Sequence, residues 1–478
     1  MNYKMIIRIC AVVTLVLAGL LLIPAVLGLF MGGASGYFIT AAICVVSGGA
    51  LLAVKPADTR IYSREGLVSV GLSWIIMSLL GALPFRINGD IPKYIDALFE
   101  TVSGLTTTGA SILDDVEALS AASLFWRSFT HFIGGMGVLV FIMTVLPLSN
   151  DRNMHIMRAE VPGPTVGKLV PRMKKTAIIL YLIYTAITLV EMVCLRLAGM
   201  SFFDALLHAF ATAGTGGFST RNGSIAAFNS PLIEMIIAFF LILFGINFNL
   251  YYLVLIGRGR DALKSEELKT YFGIIIVSTA VFTVGTLSRY GLPNALRHGF
   301  FNTMSLMSTA GFGTEDFTLW PGFTQALVIL LMFCGGCAGS TAGGLKLSRV
   351  MMLFKAAAVD VRKTVKPHRV KCAKMDGKNL SSDMISSAYS YFVLYMIFLL
   401  VCMVLISFDG FDFTVNFTAA LSCMSNVGPG LGIIGPSGNY NIFSDFSKVV
   451  MSVTMLFGRL EIYAMLILFY PSSWRRRG

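Results

Sequence analysis

The chain has little charge. Asp, Glu, Lys and Arg make up only 13% of its 478 residues, whereas 56% are hydrophobic. The mean hydropathy of +0.77 lies well outside the range of soluble domains. About ten apolar runs are long enough to cross roughly 30 Å of hydrocarbon as helices. The composition therefore excludes a soluble protein and predicts an all-α, polytopic membrane protein. The first run lacks a small-residue cleavage site, so we expect it to be retained as a helix.

Cysteine and histidine are also scarce, which limits the chemistry open to the chain. The eight cysteines are scattered, mostly in apolar segments, so no disulfide framework is expected. Cys334-Gly-Gly-Cys337 has redox or metal spacing but lacks nearby histidines. We expect structural, hydrogen-bonded roles for the five histidines, which are His131, His155, His208, His298 and His368. No nucleophile, base or metal ligands stand at recognisable spacing, so no enzyme and no covalently bound cofactor are predicted.

The net charge of +12 comes from basic residues that gather in alternate loops. This positive-inside pattern favours a membrane protein over nucleic-acid binding and places both termini in the cytoplasm. The main basic segments are Lys4–Arg8, Lys55–Arg64, Arg152–Lys175, Arg258–Lys269, Lys346–Lys378 and Arg475–Arg477. The part from Arg349 to Lys378 is long enough to dock another protein, with anionic membrane lipid as the alternative.

A short polar segment occurs four times between apolar helices. The four copies are FETVSGLTTTGAS, LHAFATAGTGGFS, FNTMSLMSTAGFG and TAALSCMSNVGPG, and they contain Gly109, Gly217, Gly311 and Gly428. Each unit reads as helix, short re-entrant helix with loop, helix. Irregular backbone at membrane depth is tolerated where it is buried in protein or lines a water-filled cavity. Helix packing explains any single glycine, but four at matching positions predict a central pore.

The repeats divide the chain into five parts, and the whole chain is predicted to cross the membrane an even number of times. The predicted parts are an N-terminal helix pair at 1–58 and pore repeats at 59–150, 151–260, 261–378 and 379–478.

A dehydrated potassium ion needs oxygen ligands, and backbone carbonyls supply them in narrow pores. Turning successive carbonyls toward one axis favours glycine. The short helices would point their partly negative C-terminal ends at the cavity, which favours a cation.

These loops, together with NVGPGLG from Asn426, HFIGGMG from His131 and GGCAGSTAGGLK from Gly335, resemble the Trk/Ktr/HKT superfamily of potassium transporters. The N-terminal helix pair and the length are most similar to its bacterial TrkH/TrkG branch. The resemblance implies a potassium-permeable homodimer in the bacterial inner membrane, with a cytosolic TrkA-type ring that binds ATP/ADP or NADH and gates it. Four filter glycines, none of them replaced by serine, imply potassium preference. The implied filter residues are Thr107, Thr108, Gly109, Gly216, Gly217, Thr309, Ala310, Gly311, Asn426, Val427 and Gly428.

A glycine-rich stretch interrupts the eighth predicted crossing, and we expect only this spanning element to be broken. It contains Gly335, Gly336, Gly339, Gly343 and Gly344 and ends before Lys346. A discontinuous segment at membrane depth is typical of a site or gate. A phosphate loop does not fit, because Leu345 stands where that motif needs lysine. Lys346 is a gate residue or an interfacial anchor.

Arg459 is predicted to lie deep in the last crossing, facing a cavity or a partner. The resemblance places it below the filter, and an ion pair with an acid other than Glu461 is the alternative, because residues two apart on a helix point to different faces. Four acids near the outer mouth either concentrate cations or form a solvated rim. They are Asp96, Glu100, Asp204 and Asp316.

The sequence therefore predicts potassium uptake through a gated filter. A proton- or sodium-coupled potassium symporter remains the alternative, because no isolated pair of intramembrane acids marks a proton relay.

Overall fold

The computed structural model describes residues 1–56, 62–137, 173–365 and 372–474. These residues are overwhelmingly helical, and the one described sheet is a two-stranded antiparallel hairpin, Lys374–Met375 with Lys378–Asn379. The all-α membrane fold predicted from the composition is confirmed. Arg60, the segment Arg152–Arg172, His155, His368 and Arg475–Arg477 lie outside the described residues.

An N-terminal helix pair precedes the repeats, as expected. The helices are Tyr3–Met31 and Ser35–Leu52, and they pack against each other and against the first helix of repeat 1. The side chain of Asn2 accepts a hydrogen bond from the Met5 amide and caps the first helix. Gly32 ends that helix at a φ of 99°, a conformation that glycine adopts readily.

Each repeat consists of an outer helix, a pore helix and an inner helix. The outer helices are Ser63–Asn88, Met173–Leu197, the first part of Glu266–Met307, and Ser382–Ile406. The pore helices are Tyr94–Leu105, Phe202–Gly214, the last part of Glu266–Met307, and Phe413–Ser425. The inner helices are Ala121–Gly135, Pro231–Gly245, Gly322–Cys334 and Asp445–Arg459. In repeat 3 the backbone turns at Gly291, where φ is 71° and ψ is 163°, and this kink separates the outer helix from the pore helix.

Several shorter elements connect these helices. The helices Phe248–Leu255 and Gly259–Leu263 follow the second inner helix, Leu347–Val365 follows the third, and Tyr463–Phe469 follows the fourth. The single 3-10 turns are Ser224–Phe228, Phe317–Leu319, Ser407–Asp409, Gly432–Ile434 and Pro471–Trp474.

Apolar side chains cover the outside of the molecule as well as its core. Val46, Leu197 and Ile276 are 73%, 82% and 68% exposed, although they lie in long apolar helices. An exposed apolar belt of this kind is the surface that a bilayer covers. Six described helices are long and apolar enough to span a membrane, and the bent pair Pro231–Gly245 and Phe248–Leu255 makes a seventh.

The inner helices are shorter than the sequence predicts, and the expectation of a single broken element is wrong. The second inner helix bends by 86° before Phe248. The fourth ends at Arg459, and Glu461 and Ile462 have φ values of 54° and 62° before the next helix begins. Their apolar composition is continuous across the breaks, so hydropathy alone could not locate them. The interruptions bring irregular backbone to one level beneath the pore loops.

Candidate functional site: the pore loops and the loop beneath them

The four pore loops share one backbone conformation. Each filter glycine has a positive φ, with values of 80° at Gly109, 79° at Gly217, 74° at Gly311 and 102° at Gly428. The residue two positions earlier is also left-handed in every repeat, at Thr107, Thr215, Thr309 and Asn426. A left-handed non-glycine residue is uncommon. Its occurrence at the same place in four repeats shows that the loops are four copies of one built structure.

The four loops close into a ring. A Cβ atom on Gly109 would overlap the carbonyl oxygen of Gly216 in the next repeat. In the same way, a Cβ atom on Gly217 would overlap the Ala310 oxygen, and one on Gly311 would overlap the Val427 oxygen. A Cβ atom on Gly428 would lie 2.8 Å from the Thr108 oxygen and so completes the circle. Glycine is therefore required at these positions both for its conformation and for the space beside the neighbouring carbonyl.

All four glycines line one cavity, here called the vestibule, which also includes Asp114, Arg127 and Arg221. The pore helices end immediately before the loops, so their C-terminal partial negative charges face the ring. Converging carbonyls and helix ends form an environment in which a dehydrated cation is stabilised and an anion is not.

Side chains from the pore helices brace the first two loops. Glu100 stands nine residues before Gly109, and its carboxylate accepts hydrogen bonds from the Ser111 hydroxyl at 3.0 and 3.1 Å. His208 stands nine residues before Gly217 and shares a hydrogen bond with the Ser219 hydroxyl at 3.0 Å. In both loops, the residue nine positions before the filter glycine therefore holds the serine two positions after that glycine.

Arg127 joins repeats 1 and 2 behind the filter. Its Nε lies 2.5 Å from Glu100, and its Nη1 donates to the Ser219 carbonyl at 2.9 Å. The guanidinium also lies 3.8 Å above the Phe218 ring. Because both charges are almost completely buried, removing one would leave the other uncompensated, and breaking such pairs is strongly destabilising. The sequence analysis missed Arg127, although a basic residue inside an apolar helix was the available signal.

Repeats 1 and 4 meet along a non-covalent boundary, here called the seam. Asn426 donates from Nδ2 to the Thr108 hydroxyl at 2.9 Å, and the Tyr440 amide donates to the Ser111 carbonyl at 2.8 Å. Lys448 bonds Asp96 at 2.6 Å between almost fully buried side chains.

The acids expected at the outer mouth do not form an open cation-attracting rim. Asp96 and Glu100 are buried against Lys448 and Arg127, so neither the cation-concentrating nor the solvated interpretation holds for them. Asp96 and Asp204 also lie in the first turn of their pore helices, where a carboxylate offsets the positive end of the helix. Asp316 accepts hydrogen bonds from the amide and hydroxyl of Thr318 and shapes a turn.

The predicted hydrogen-bonded state of the histidines is correct for His208 and His298 and wrong for His131. His208 bonds Ser219 and the Asp204 carbonyl, and His298 lies 3.3 Å from the Thr314 hydroxyl. His131 is fully buried, and neither ring nitrogen has a partner among the described residues. Its ring stacks on Phe218 at 4.2 Å and packs against Gly216. His131 therefore supports the second pore loop by packing.

The glycine-rich segment of repeat 3, residues 335–346, is here called the gate loop. The Gly343 amide donates to the Thr309 hydroxyl at 2.6 Å, and the Gly344 amide donates to the Ser425 carbonyl at 2.8 Å. The Cys337 amide donates to Gly245 at 3.0 Å, which uses a carbonyl freed by the break in the second inner helix. The gate loop thus lies directly beneath the filter and contacts repeats 2, 3 and 4.

Arg459 supplies the contact with repeat 1. Its guanidinium donates to the Thr341 carbonyl at 2.9 Å and to the carbonyls of Gly134 and Gly135 at 2.5 and 2.9 Å. The latter two belong to the C-terminal end of the first inner helix, a partly negative terminus that favours a cation. Arg459 therefore ties the gate loop across the pore axis.

Buried and half-buried charges also surround the end of the gate loop. Glu267 accepts from the Ala338 amide at 2.8 Å, and Lys346, which is 3% exposed, donates to the Ala342 carbonyl. Arg349 binds Glu461 through both terminal nitrogens, at 3.1 and 2.5 Å. Glu461 thus pairs with Arg349 rather than with Arg459, as the two-residue spacing predicts. Lys346 is buried inside the loop and is not an interfacial anchor.

The structure brings the predicted site residues together at two levels. Every predicted filter residue lies in one of the four loops, and every predicted gate residue lies in the gate loop or against it. Thr215 was missed, although it shares its left-handed conformation with Thr107 and Thr309. Among the described residues, no group of three His, Cys, Asp or Glu side chains can hold a metal ion, and Cys334 and Cys337 are free thiols.

Comparison with known proteins agrees with this architecture. The family model for TrkH, described as a cation transport protein, matches residues 34–282 and 270–476. The Trk system potassium uptake protein TrkG of Escherichia coli K12 is 36% identical over 92% of this chain and 91% of its own length. TrkH of the same strain is 35% identical over 99% of this chain and 100% of its own.

A solved structure gives the same result in three dimensions. The crystal structure of the potassium transporter TrkH from Vibrio parahaemolyticus superposes with a TM-score of 0.89, at 32% identity, and covers 99% of this chain and 100% of that one. The four-loop ring, the gate loop and these matches lead to one conclusion: this chain is a multi-pass membrane protein of the TrkH family of cation transport proteins.

Proposed function

We propose that the chain carries potassium ions into the cell through the ring of four pore loops. The observation that carries this proposal is the closed succession of glycines and carbonyls, in which each glycine lies against the oxygen of the next repeat. Among the described residues, no protein donor reaches these four carbonyl oxygens, so a dehydrated cation fits the ring chemically. Relatives named potassium uptake proteins support potassium as the transported ion.

The filter would replace the water ligands of the ion with carbonyl oxygens. The carbonyl of the residue before each filter glycine lies beside the filter glycine of the preceding repeat, and the pore helix ends add a favourable potential. In the proposed orientation both termini are cytoplasmic, and the membrane potential drives entry. About 2.3 kcal/mol per charge per 100 mV corresponds to roughly 50-fold accumulation. Uptake then needs no chemical coupling.

The gate loop would block the path beneath the filter. Its hydrogen bonds to Gly245, Thr309, Ser425 and Arg459 reach repeats 2, 3 and 4. Arg459 extends this contact to the carbonyls of Gly134 and Gly135 in repeat 1. Opening requires these bonds to be exchanged together. A force on the basic helix Leu347–Val365, which directly follows the loop, is a suitable trigger.

The proposed assembly is a homodimer in the bacterial inner membrane with a cytosolic TrkA-type ring. That ring, rather than this chain, would bind ATP/ADP or NADH. Lys355 and Arg362 of the basic helix line a pocket with Lys374, which gives the partner a cationic surface. Neutralising these three residues together is expected to weaken pull-down of the ring. Undiminished capture would place the docking surface elsewhere.

The experiment that tests uptake uses the full chain in potassium-loaded vesicles. Without valinomycin, potassium can leave the vesicles only through the protein, so radiotracer rubidium should accumulate inside them. External sodium should compete poorly with rubidium. Empty vesicles and the Gly109→Ser variant are the controls. No tracer accumulation, with and without the cytosolic ring, would reject the function.

A proton-coupled symporter is the second candidate, because of one acid that the sequence analysis did not single out. Glu191 lies fully buried in the second outer helix, beside Thr212 of the pore helix, and neither carboxylate oxygen has a hydrogen-bond partner by strict geometry among the described residues. A buried acid without a cationic partner is typical of proton-binding sites in membrane carriers.

The two candidates differ in their response to a pH gradient. In a passive pore, Glu191→Gln should leave pH-gradient-driven rubidium accumulation at the small background of the wild type. In a symporter, the wild type should accumulate rubidium against its gradient when the outside is acidified at zero voltage, and Glu191→Gln should abolish this.

A further inference from the structure

The four repeats do not contribute to the filter in the same way. The carbonyl oxygen of Gly428 accepts two hydrogen bonds, one from the Ser422 hydroxyl and one from the Tyr440 hydroxyl, each 2.7 Å long. Among the described residues, no hydrogen bond reaches the carbonyl oxygens of Gly109, Gly217 or Gly311. The fourth glycine alone has its carbonyl engaged by the protein.

Both donors are buried beside the fourth loop. Ser422 belongs to the pore helix behind the filter and is fully buried. Tyr440 is 2% exposed. Its amide donates a hydrogen bond to the Ser111 carbonyl, and its ring contacts that of Phe99 at 5.7 Å. Two hydroxyl donors use both lone pairs of a carbonyl oxygen. An oxygen that already accepts two hydrogen bonds is a weak ligand for an ion.

The backbone of the fourth loop agrees with this difference. Gly428 has a φ of 102°, whereas the other three glycines have values between 74° and 80°. A Cβ atom on Gly428 would lie 2.8 Å from its neighbouring carbonyl, whereas in the other repeats it would overlap that oxygen. The fourth glycine therefore lies farther from the ring of oxygens.

Position-matched residues show that this arrangement is specific to repeat 4. Six residues before the filter glycine stand Ser103, Ala211, Ser305 and Ser422. The Ser103 hydroxyl has no partner among the described residues, and Ser305 donates to the carbonyl of Phe312 rather than that of the glycine. Only in repeat 4 does this serine, joined by a tyrosine from the outer segment, hold the filter glycine.

We infer that Tyr440 and Ser422 withhold the Gly428 carbonyl from the permeating ion, so that the glycine level of the filter presents three carbonyls instead of four. Both are positioning residues for selectivity. Three ligands bind potassium less tightly than four and release it faster, and fast release is what conduction requires. The inference rests on the proposed ion path and adds the composition of one filter level to it.

The test measures the concentration dependence of rubidium uptake by the full chain in vesicles. Tyr440→Phe removes one hydroxyl and keeps the ring packing. Freed from this bond, the carbonyl regains a lone pair for an ion, so KM should fall about fivefold, the change in binding that corresponds to one ordinary hydrogen bond. The maximal rate should fall as well, because the ion leaves more slowly. Sodium should compete less well than in the wild type.

Three variants separate this account from a general effect on folding. Ser422→Ala should shift KM in the same direction, and it serves as the second probe if Tyr440→Phe does not fold. Ser103→Ala, which removes an unpartnered hydroxyl, should leave KM unchanged. Tyr94→Phe, which removes a hydroxyl bonded to the Leu79 carbonyl away from the filter, should also leave it unchanged.

Each result has a definite meaning. A lower KM in Tyr440→Phe or Ser422→Ala, with the two controls unchanged, supports the three-carbonyl level. A raised KM would show that the hydroxyls hold the carbonyl in a ligating position, and a reduced maximal rate at constant KM would show a structural role only; either overturns the inference. Absence of uptake by the wild type would instead reject the proposed function.

Discussion

The filter and the gate loop lie next to each other but are built in opposite ways. The filter uses the same left-handed positions in all four repeats, and among the described residues no protein donor reaches three of its four glycine carbonyls. The gate loop belongs to repeat 3 alone, and its backbone amides donate to carbonyl and hydroxyl oxygens in repeats 2, 3 and 4. The repeated loops thus leave oxygens without protein donors, whereas the single glycine-rich loop of repeat 3 satisfies its amides on three repeats.

This difference suggests how selection and gating are kept apart. A change in the filter alters oxygens that touch the ion, and should change which ion passes. A change in the gate loop alters bonds between protein groups, and should change how often ions pass. Variants that separate these two properties test the comparison directly.

The largest effect is expected from shortening the gate loop. Deleting residues 339–342 removes Thr341 and with it the contact that Arg459 makes with the loop. Partner-independent rubidium flux should rise tenfold or more, which corresponds to about 1.4 kcal/mol of barrier, with the potassium-to-sodium ratio retained. A folded variant whose flux stays at the wild-type level would contradict the gate assignment.

The filter glycines should respond unequally to serine. Gly109→Ser places a side chain against the Gly216 carbonyl in a left-handed conformation that costs about 1–2 kcal/mol, so the potassium-to-sodium ratio should fall roughly tenfold. Gly428→Ser is the matched control and should lower it less, because the neighbouring oxygen is farther away. Bi-ionic potentials measure both ratios. Equal losses would show that the four quarters are alike.

Arg459 should affect rate rather than selection. Arg459→Ala removes hydrogen bonds to Thr341, Gly134 and Gly135 together with a positive charge near the ion path. Flux should rise about fivefold, the effect of roughly 1 kcal/mol. Arg459→Lys keeps the charge and should have a smaller effect. A changed potassium-to-sodium ratio in the alanine variant would mean that this level also selects ions.

The smallest effect is expected at the Arg349–Glu461 ion pair, which holds the start of the basic helix near the break in the last crossing. Partly exposed pairs contribute roughly 0.5–1 kcal/mol, so Glu461→Gln should raise basal flux about threefold. The exchanged pair, Arg349→Glu with Glu461→Arg, should restore low flux. Failure of the exchange to restore it would show that the pair does not hold the closed state.

Much of this organisation could be predicted from the sequence because it depends on pattern. Four glycine-containing loops at matching places in apolar units predicted four repeats, each with an outer helix, a short pore helix and an inner helix. The gate loop was recognisable because five glycines in ten residues cannot continue a helix. Arg459 was noticeable because a charge in hydrocarbon needs a partner.

What could not be predicted depends on contacts between distant residues. Tyr440 and Gly428 are only twelve residues apart, but nothing in an apolar or polar pattern shows which oxygen a hydroxyl reaches. The partners of Asp96 and Glu100 come from other helices, so these acids resembled an open rim. The break at Ile246 could not be predicted because the sequence is apolar both before Gly245 and after Asn247.

The seam between repeats 1 and 4 has a consequence for synthesis in the cell. Thr108 and Asn426 are 318 residues apart, and Asp96 and Lys448 are 352 apart. Domains emerge from the ribosome in order, N-terminal part first, so the last quarter of the pore reaches the membrane after the other three. Until then the Thr108 side of the filter has no neighbour and the ring cannot close. On the proposed ion path, an incomplete chain therefore lacks the closed ring of oxygens, which forms only after repeat 4 has reached the membrane.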